Sequence, residues 1–437
     1  MAEGRTASAT GEVLALGFGT SVAMWFLGYL CRMPAAPAPS WVLGLGLLVC
    51  LAAGGAVAGR TSGGGWRNGA AVGLLSSLIN LLILGSLLGG GAPNRVVPSA
   101  LWWLPGSLVL GAAVAGAAGT LTPARRRGAT VNWTCVFAAV AAAATLLQLL
   151  VGGFVTSNKA GLAVVDWPNS FGYNMFLYPL SRMTGGVYYE HAHRLFGSLV
   201  GLTTVVLGVH LLRVERRAWV KRLALVAVVA VVVQGILGGL RVTGGFTFST
   251  SPAAMAPSIT LAVVHGVLGP AFFGVMVAIA AVTSTTWVGG PAAAATAHAR
   301  SEHVFGVLFA GAVLVQLVLG AIQRHLARGL LVHIIFAVVV LVLALLHGSR
   351  LWGLYQGQPL LQRLGLLIMT VATVQVMLGI GSLFAIQFRT VGAEPGEWDV
   401  LTRTAHQACG SVLLGCAVLG ALWSLRLLAQ PEEGPAA

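Results

Sequence analysis

The sequence predicts an all-α polytopic membrane protein of about twelve transmembrane helices, the last eight forming a core of two pseudo-symmetric four-helix bundles. Three observations predict it. Of 437 residues, 57% are hydrophobic and only 8% are Lys, Arg, Asp or Glu, where soluble domains run near ~25% charged, so a soluble globular fold is excluded. At ~20 residues per spanning helix, the apolar positions supply about twelve spans and leave little for an extramembrane domain. A four-fold internal repeat fills the last two thirds of the chain. The net charge of +14 does not indicate nucleic acid, because no basic run exceeds Arg125, Arg126 and Arg127 and the other cations fall singly between apolar stretches, as topology signals do.

Apolar runs bounded by charges or by Gly/Pro breaks place spans near 12–30, 41–59, 69–90, 99–120, 131–154, 187–211, 221–243, 257–282, 303–322, 329–348, 359–385 and 400–429. The first run is long, its basic start is diluted by Glu3 and Glu12, and no small-residue cleavage site follows it, so it reads as an uncleaved anchor. With the N-terminus inside, the inner side collects fifteen Lys and Arg residues, including the clusters at 125–127 and 213–222, and the outer side nine. The bias predicts a multi-pass protein of the cell inner (cytoplasmic) membrane with both termini cytoplasmic. The segment TPARRRG at 122–128 separates four Gly/Ala-rich spans without histidine from eight spans that hold all ten. The expected organisation is therefore an N-terminal module at 1–123 of unknown role, a first four-helix half at 124–290 and a second at 291–437. Five cysteines, four of them inside apolar stretches, form neither a disulfide framework nor a C-x-x-C-H site.

The repeat is a helical hairpin. QLLVG (148–152), QGILG (234–238), QLVLG (316–320) and QVMLG (375–379) each precede a span with a histidine near its start and a small residue four positions later. Those pairs are His193 with Gly197, His265 with Gly269, His333 with Ala337, and His406 with Gly410. The Gln phrase reads as a packing seam with one interhelical hydrogen bond. In the His phrase, the small residue one turn from the imidazole clears space where a flat ligand can lie. All four histidines fall roughly 9–13 Å into their helices at 1.5 Å per residue, at one depth in the outer leaflet, whereas His191, His210, His298, His303, His325 and His347 do not. Paired imidazoles without a cysteine or carboxylate cluster suit non-covalent haem iron better than zinc. The repeat predicts one pair per half, His193 with His265 and His333 with His406.

One asymmetry stands out. In YYEHAHRLFG, Glu190, His193, Arg194 and Gly197 share one helix face, and the matching GLLVHIIFA has no acid. A carboxylate below the membrane surface is by default functional, the alternative being an i,i+4 pair in which Glu190 merely neutralises Arg194. E-x-x-H-R-x-x-G here, the histidines on the fourth, sixth and eighth core helices, and GLAVVDWP (161–168) together resemble the haem A synthase family, over about 128–430. The resemblance implies an oxidoreductase that oxidises a methyl group of haem O to the formyl group of haem A for cytochrome oxidase assembly. It implies a resident haem b on His333 and His406, substrate haem O on His193 and His265, and Glu190 as catalytic acid. Arg194 joins the cofactor-binding set as one of several cations at the surface where haem propionates would lie. The four N-terminal spans depart from the family core. So does the lack of any cysteine between 136 and 408, where some members carry an outer-loop pair. Expected partners are haem O, haem O synthase, cytochrome oxidase assembly factors, membrane lipid and a second copy of the chain, with no nucleic acid. The loop near 155–186 reads either as a cap over the substrate haem or as an interfacial aromatic belt. A di-haem b-type electron carrier, or a haem transporter or chaperone, would also explain four histidines but leaves Glu190 and GLAVVDWP without work.

Overall fold

A computed structural model describes residues 2–62, 65–88, 92–123, 131–247, 249–388 and 394–431. Arg125, Arg126 and Arg127, on which much of the charge bias rests, and Arg389 lie outside the described residues. The helices are α1 (Ala2–Cys31), α2 (Ser40–Ser62), α3 (Trp66–Leu88), α4 (Ala100–Leu121), α5 (Trp133–Ser157), α6 (Gly185–Val214) and α7 (Ala218–Thr243). They continue with α8 (Ile259–Val282), the short α9 (Thr285–Gly289), α10 (Ala299–Leu326), α11 (Leu330–Leu354), α12 (Pro359–Gln387) and α13 (Glu397–Leu427). Each of the twelve expected spans coincides with a long helix. Among the described residues eleven helices are long and apolar enough to cross a membrane. The other long one, α3, is diluted by Arg67, Asn68 and Asn80. Asn80 is satisfied within the bundle, its Oδ1 accepting from Trp25 Nε1 at 2.9 Å, as a buried amide among membrane helices must be.

The chain forms two compact units, Met1–Pro257 and Ser258–Ala437. The first holds α1–α7, so the four N-terminal helices share a unit with the first three helices of the repeat. Small residues bring α2, α3 and α4 into backbone contact, and a Cβ on Gly73 would lie 2.1 Å from the Gly111 carbonyl oxygen. This is the close approach that small-residue interfaces permit in membranes, where lipid supplies no hydrophobic drive between helices. Helix α1 packs on α5 and α6 through aromatic rings: Phe18 on Phe137 at 5.3 Å, Trp25 on Phe196 at 5.7 Å and Tyr29 on Tyr188 at 5.5 Å between centroids.

The second unit holds α8–α13, with α8, the helix of His265, packed on α10 and α13. The core of this unit is built on Phe309, Leu351, Leu361, Ile368 and Leu427, all fully buried. Near the start of α10 a buried Glu302 accepts from Arg350 Nε at 2.7 Å and faces His347 Nδ1 at 3.6 Å. A two-residue parallel pairing of β3 (Ala294–Ala295) with β4 (Leu428–Ala429) ties the end of α13 to the segment before α10.

Alternation of long helices across a bilayer puts Lys159 and Arg216 on opposite faces, and likewise Gln356 and Glu394. Single cysteines at these exposed positions should react with impermeant maleimide in that alternating pattern. Labelling of positions 159 and 216 from the same face would contradict the helix count in the first unit.

Candidate functional site

The first candidate site is built where α6 begins. The connection from α5 to α6 is folded rather than slack. It contains a hairpin of β1 (Asn169–Ser170) and β2 (Tyr173–Asn174), with Ser170 opposite Tyr173. Both turn residues have positive φ, Phe171 at 53° and Gly172 at 77°, the geometry of a type I′ turn. Glycine takes it freely, whereas phenylalanine needs an external hold. Asp166 supplies it: its two carboxylate oxygens accept from the Phe171 and Gly172 amides at 2.6 and 2.8 Å. The neighbouring Trp167 ring lies over α7, where a Cβ on Gly239 would come within 2.2 Å of it.

Arg194, in the third turn of α6, clamps this loop. Its Nη1 donates to the carbonyls of Asp166 (2.6 Å) and Asn169 (3.0 Å), and its Nη2 to Val164 O (2.8 Å) and Glu190 Oε1 (3.0 Å). Arg241 of α7 donates to Gly161 O at 2.9 Å and stands 3.9 Å from the same Glu190 oxygen. The phrase GLAVVDWP is therefore held at Gly161, Val164 and Asp166 by two arginines that also share one carboxylate. The planar, five-donor guanidinium suits this multi-point task, which a lysine cannot reproduce. His191, on the other side of α6 from His193, faces the loop, with Ser170 Oγ 3.0 Å from its Nδ1 and the Tyr178 ring at 4.9 Å.

Glu190 is 2% exposed. Its Oε1 is engaged by the two arginines, while Oε2 is buried without a hydrogen-bond partner. The Ala163 N–H, which faces this carboxylate, is already donated to Ala160 O at 3.0 Å. The expected pair with Arg194 is thus formed, yet it engages one oxygen only. A second arginine lowers the cost of keeping the carboxylate ionised in a low-dielectric setting.

The repeated phrases meet physically. Gln148 Nε2 donates to His193 O at 3.0 Å, and Gln316 Nε2 to His333 O at the same distance. A Cβ on Gly152, Gly320 or Gly379 would lie 2.8, 3.1 or 3.0 Å from Cε1 of His193, His333 or His406. The glycine of the Gln phrase is therefore the floor beneath the imidazole. At two of the four His phrases the small residue, expected to clear space for a flat ligand, faces the glutamine: a Cβ on Gly197 or Gly410 would lie 3.3 or 3.2 Å from Nε2 of Gln148 or Gln375.

In the second unit α11 and α13 bring His333 and His406 together, with ring centroids 6.3 Å apart and planes at 83°. Two imidazoles bonded to one metal ion at ~2.0 Å have ring centres roughly 6 Å apart, a separation this pair matches, while Gln316 Nε2 lies 3.1 Å from His333 Nδ1. His406 Nδ1 lies 3.2 Å from the Gln375 carbonyl oxygen. A carbonyl only accepts, so Nδ1 carries the proton and Nε2 keeps its lone pair for a metal, the usual second-layer arrangement of a ligating histidine. Among the described residues no group of three or more His, Cys, Asp and Glu converges to hold an ion. A metal here would draw its remaining ligands from a macrocycle, which is the coordination haem supplies.

Both halves of this arrangement include residues missed in the sequence. Asp399 lies two turns before His406 on α13, 5% exposed and paired with Arg403, whose Nη2 donates to Asp399 Oδ2 at 2.9 Å. The second half is therefore not devoid of acid, contrary to the expectation from GLLVHIIFA. The spacing D-x-x-x-R-x-x-H at 399–406 carries the signal, on the partner helix rather than beside His333. Arg241 carries no signal in the sequence, where its position seven residues after Gln234 gives no hint of its reach to Glu190.

A family model described as cytochrome oxidase assembly protein (COX15-CtaA) matches residues 172–333. The matched stretch runs from the hairpin turn through α6, α7, α8 and α10 to the start of α11, and includes Glu190, His193, Arg194, His265 and His333. No curated protein matches the chain.

Two substitutions test the clamp on the loop. Gly239→Val forces the Trp167 ring off α7, and Arg194→Lys removes most of the carbonyl contacts, each charged hydrogen bond being worth on the order of 2 kcal/mol. Thiol labelling of a cysteine placed at the buried Val164 should become about tenfold faster in either background. Equal rates in all three proteins would show that neither residue holds the loop.

Proposed function

Since residues 172–333 match the cytochrome oxidase assembly family, we propose that this chain is a haem A synthase, an oxidoreductase that converts a methyl group of haem O to the formyl group of haem A. The observation that carries the reading is Glu190: a buried carboxylate one turn from His193, with Oε1 fixed by Arg194 and Oε2 unclaimed. The carboxylate is held at one oxygen by two guanidiniums while the other makes no hydrogen bond in the structure, which places it to accept a proton. The family resemblance assigns His193 and His265 to the substrate haem O, with His265 on α8.

His333 and His406 are the residues that would hold haem b, and their separation and the Nδ1 contact of His406 support that assignment. When bound, the haem groups supply the redox chemistry that no protein side chain offers. The chain's own contribution is to orient and to handle protons. Arg194 keeps Glu190 in one rotamer and fastens the 158–184 segment above α6, so its role is that of a positioning residue, its terminal nitrogens being committed to Glu190 and to loop carbonyls rather than directed at a cofactor. Glu190 Oε2 is placed to accept a proton beside His193. The Asp399–Arg403 pair keeps the carboxylate beside His406 engaged, which suits that half to electron storage rather than chemistry. The proposed setting is the cell inner (cytoplasmic) membrane, with both termini cytoplasmic and the histidines in the outer leaflet. Haem O synthase is the proposed source of substrate, and cytochrome oxidase assembly factors are the proposed recipients.

Glu190→Gln retains size and a hydrogen bond to Arg194 but not the proton-accepting charge. In a host lacking its own synthase it should accumulate and keep haem b, yet yield haem O or the hydroxylated intermediate at the expense of haem A. Wild-type yield of haem A would return Glu190 to the role of an ion-pair partner. Alanine at His333 or His406 should each remove about one haem per chain, and an unchanged haem content and spectrum in both would end the haem b assignment.

A further inference from the structure

In both compact units the same glutamine amide reaches the same histidine carbonyl. Gln148 Nε2 lies 3.0 Å from His193 O, and Gln316 Nε2 lies 3.0 Å from His333 O. Within a helix that carbonyl already accepts from the residue four positions on, so the glutamine takes its second lone pair. The bond needs room at that fourth position. Gly197 provides it in α6, where a Cβ would stand 3.3 Å from Gln148 Nε2, and the equivalent residue in α11 is Ala337. One turn along each Gln helix, Gly152 and Gly320 lie under the imidazole Cε1 atoms. Each histidine is thus held at its carbonyl by an amide that also reaches its ring, Gln316 Nε2 lying 3.1 Å from His333 Nδ1 and Gln148 Nε2 3.5 Å from His193 Nε2, with bare backbone beneath the imidazole.

The amides are retained at a disadvantage. Gln148 Oε1, Gln316 Oε1 and Gln375 Oε1 are all buried without a hydrogen-bond partner, which destabilises a fold relative to an apolar residue of similar volume. A leucine at each position would fill the seam without that penalty. The same unfavourable choice recurs at equivalent sites in both units, beside the imidazoles and nowhere demanded by helix formation.

We propose that Gln148 and Gln316 are positioning residues that set the imidazoles of His193 and His333 for ligation, each amide anchoring its histidine's carbonyl through the gap left by the small residue one turn on. The proposal rests on the haem-binding reading above. It goes beyond that reading in assigning the Gln-x-x-x-Gly phrase a part in retaining the ligated group instead of a part in helix packing alone.

The test compares the full-length wild-type chain with Gln316→Leu, purified from a host that makes haem. Two readouts report on the imidazole: carbon monoxide binding to the reduced protein, which requires a ligand to leave the iron, and the rate at which haem transfers to excess apomyoglobin. Q316L should retain its helix content and acquire haem, then bind carbon monoxide and release haem about 10–100-fold faster, the usual cost of removing a second-layer partner of a metal ligand. Wild-type behaviour in both readouts would overturn the positioning role and leave a packing seam. Should Q316L fail to accumulate, Gln316→Asn, which keeps the amide but falls short of the carbonyl by one methylene, is read in the same way. A wild-type chain that carries no low-spin haem would instead overturn the haem-binding reading itself.

Discussion

The buried ion pair of Glu190 with Arg194 is the interaction on which the first unit's candidate site depends. Neither charge is tolerable alone inside a membrane helix, and breaking such a pair by removing one partner typically costs about 3–5 kcal/mol because the other is left uncompensated. Pairing at 3.0 Å solves that problem and also fixes where the guanidinium points. Its remaining donors then collect three loop carbonyls, from Val164, Asp166 and Asn169. Asp166, so placed, holds the hairpin turn at Phe171 and Gly172. A chain of dependence therefore runs from one intramembrane charge to a folded segment of about twenty-five residues above α6, of the size usual for functional loops.

The two units share one helix-pair design. Each sets a histidine on a glycine floor and ties its carbonyl to a glutamine. They differ in the nearest carboxylate. Glu190 sits one turn from His193 with an oxygen unclaimed. Asp399 sits two turns from His406 beside Arg403.

The spans were legible because each apolar run is bounded by charge, glycine or proline, and membrane helices must satisfy their own backbone. Helix α1 begins ten residues before its apolar run, since a helix continues through polar residues such as Glu3 and Arg5 that do not mark a span. The four phrases of the repeat were legible as a pattern, but the direction of fit was not. Gly197 looked like room for a ligand, and only the packing of α5 on α6 shows that Gln148 uses that room. The fold of the loop at 158–184 was beyond sequence reasoning because Arg194 spends its donors on main-chain carbonyls, which no motif encodes, and Gly239 and Arg241 come from α7, beyond the next helix. Asp399 was not legible because it stands seven residues before His406, outside the stretch flanking either histidine.

The central claim is that this chain holds one haem for storage and another as substrate. Haem extracted from the purified wild-type protein, expressed where haem O is made, and resolved by chromatography and mass spectrometry tests it most directly. The proposed function requires haem b together with haem O, its hydroxylated form or haem A. Haem b alone would contradict it and point to an electron carrier, and no haem of any kind would remove the premise.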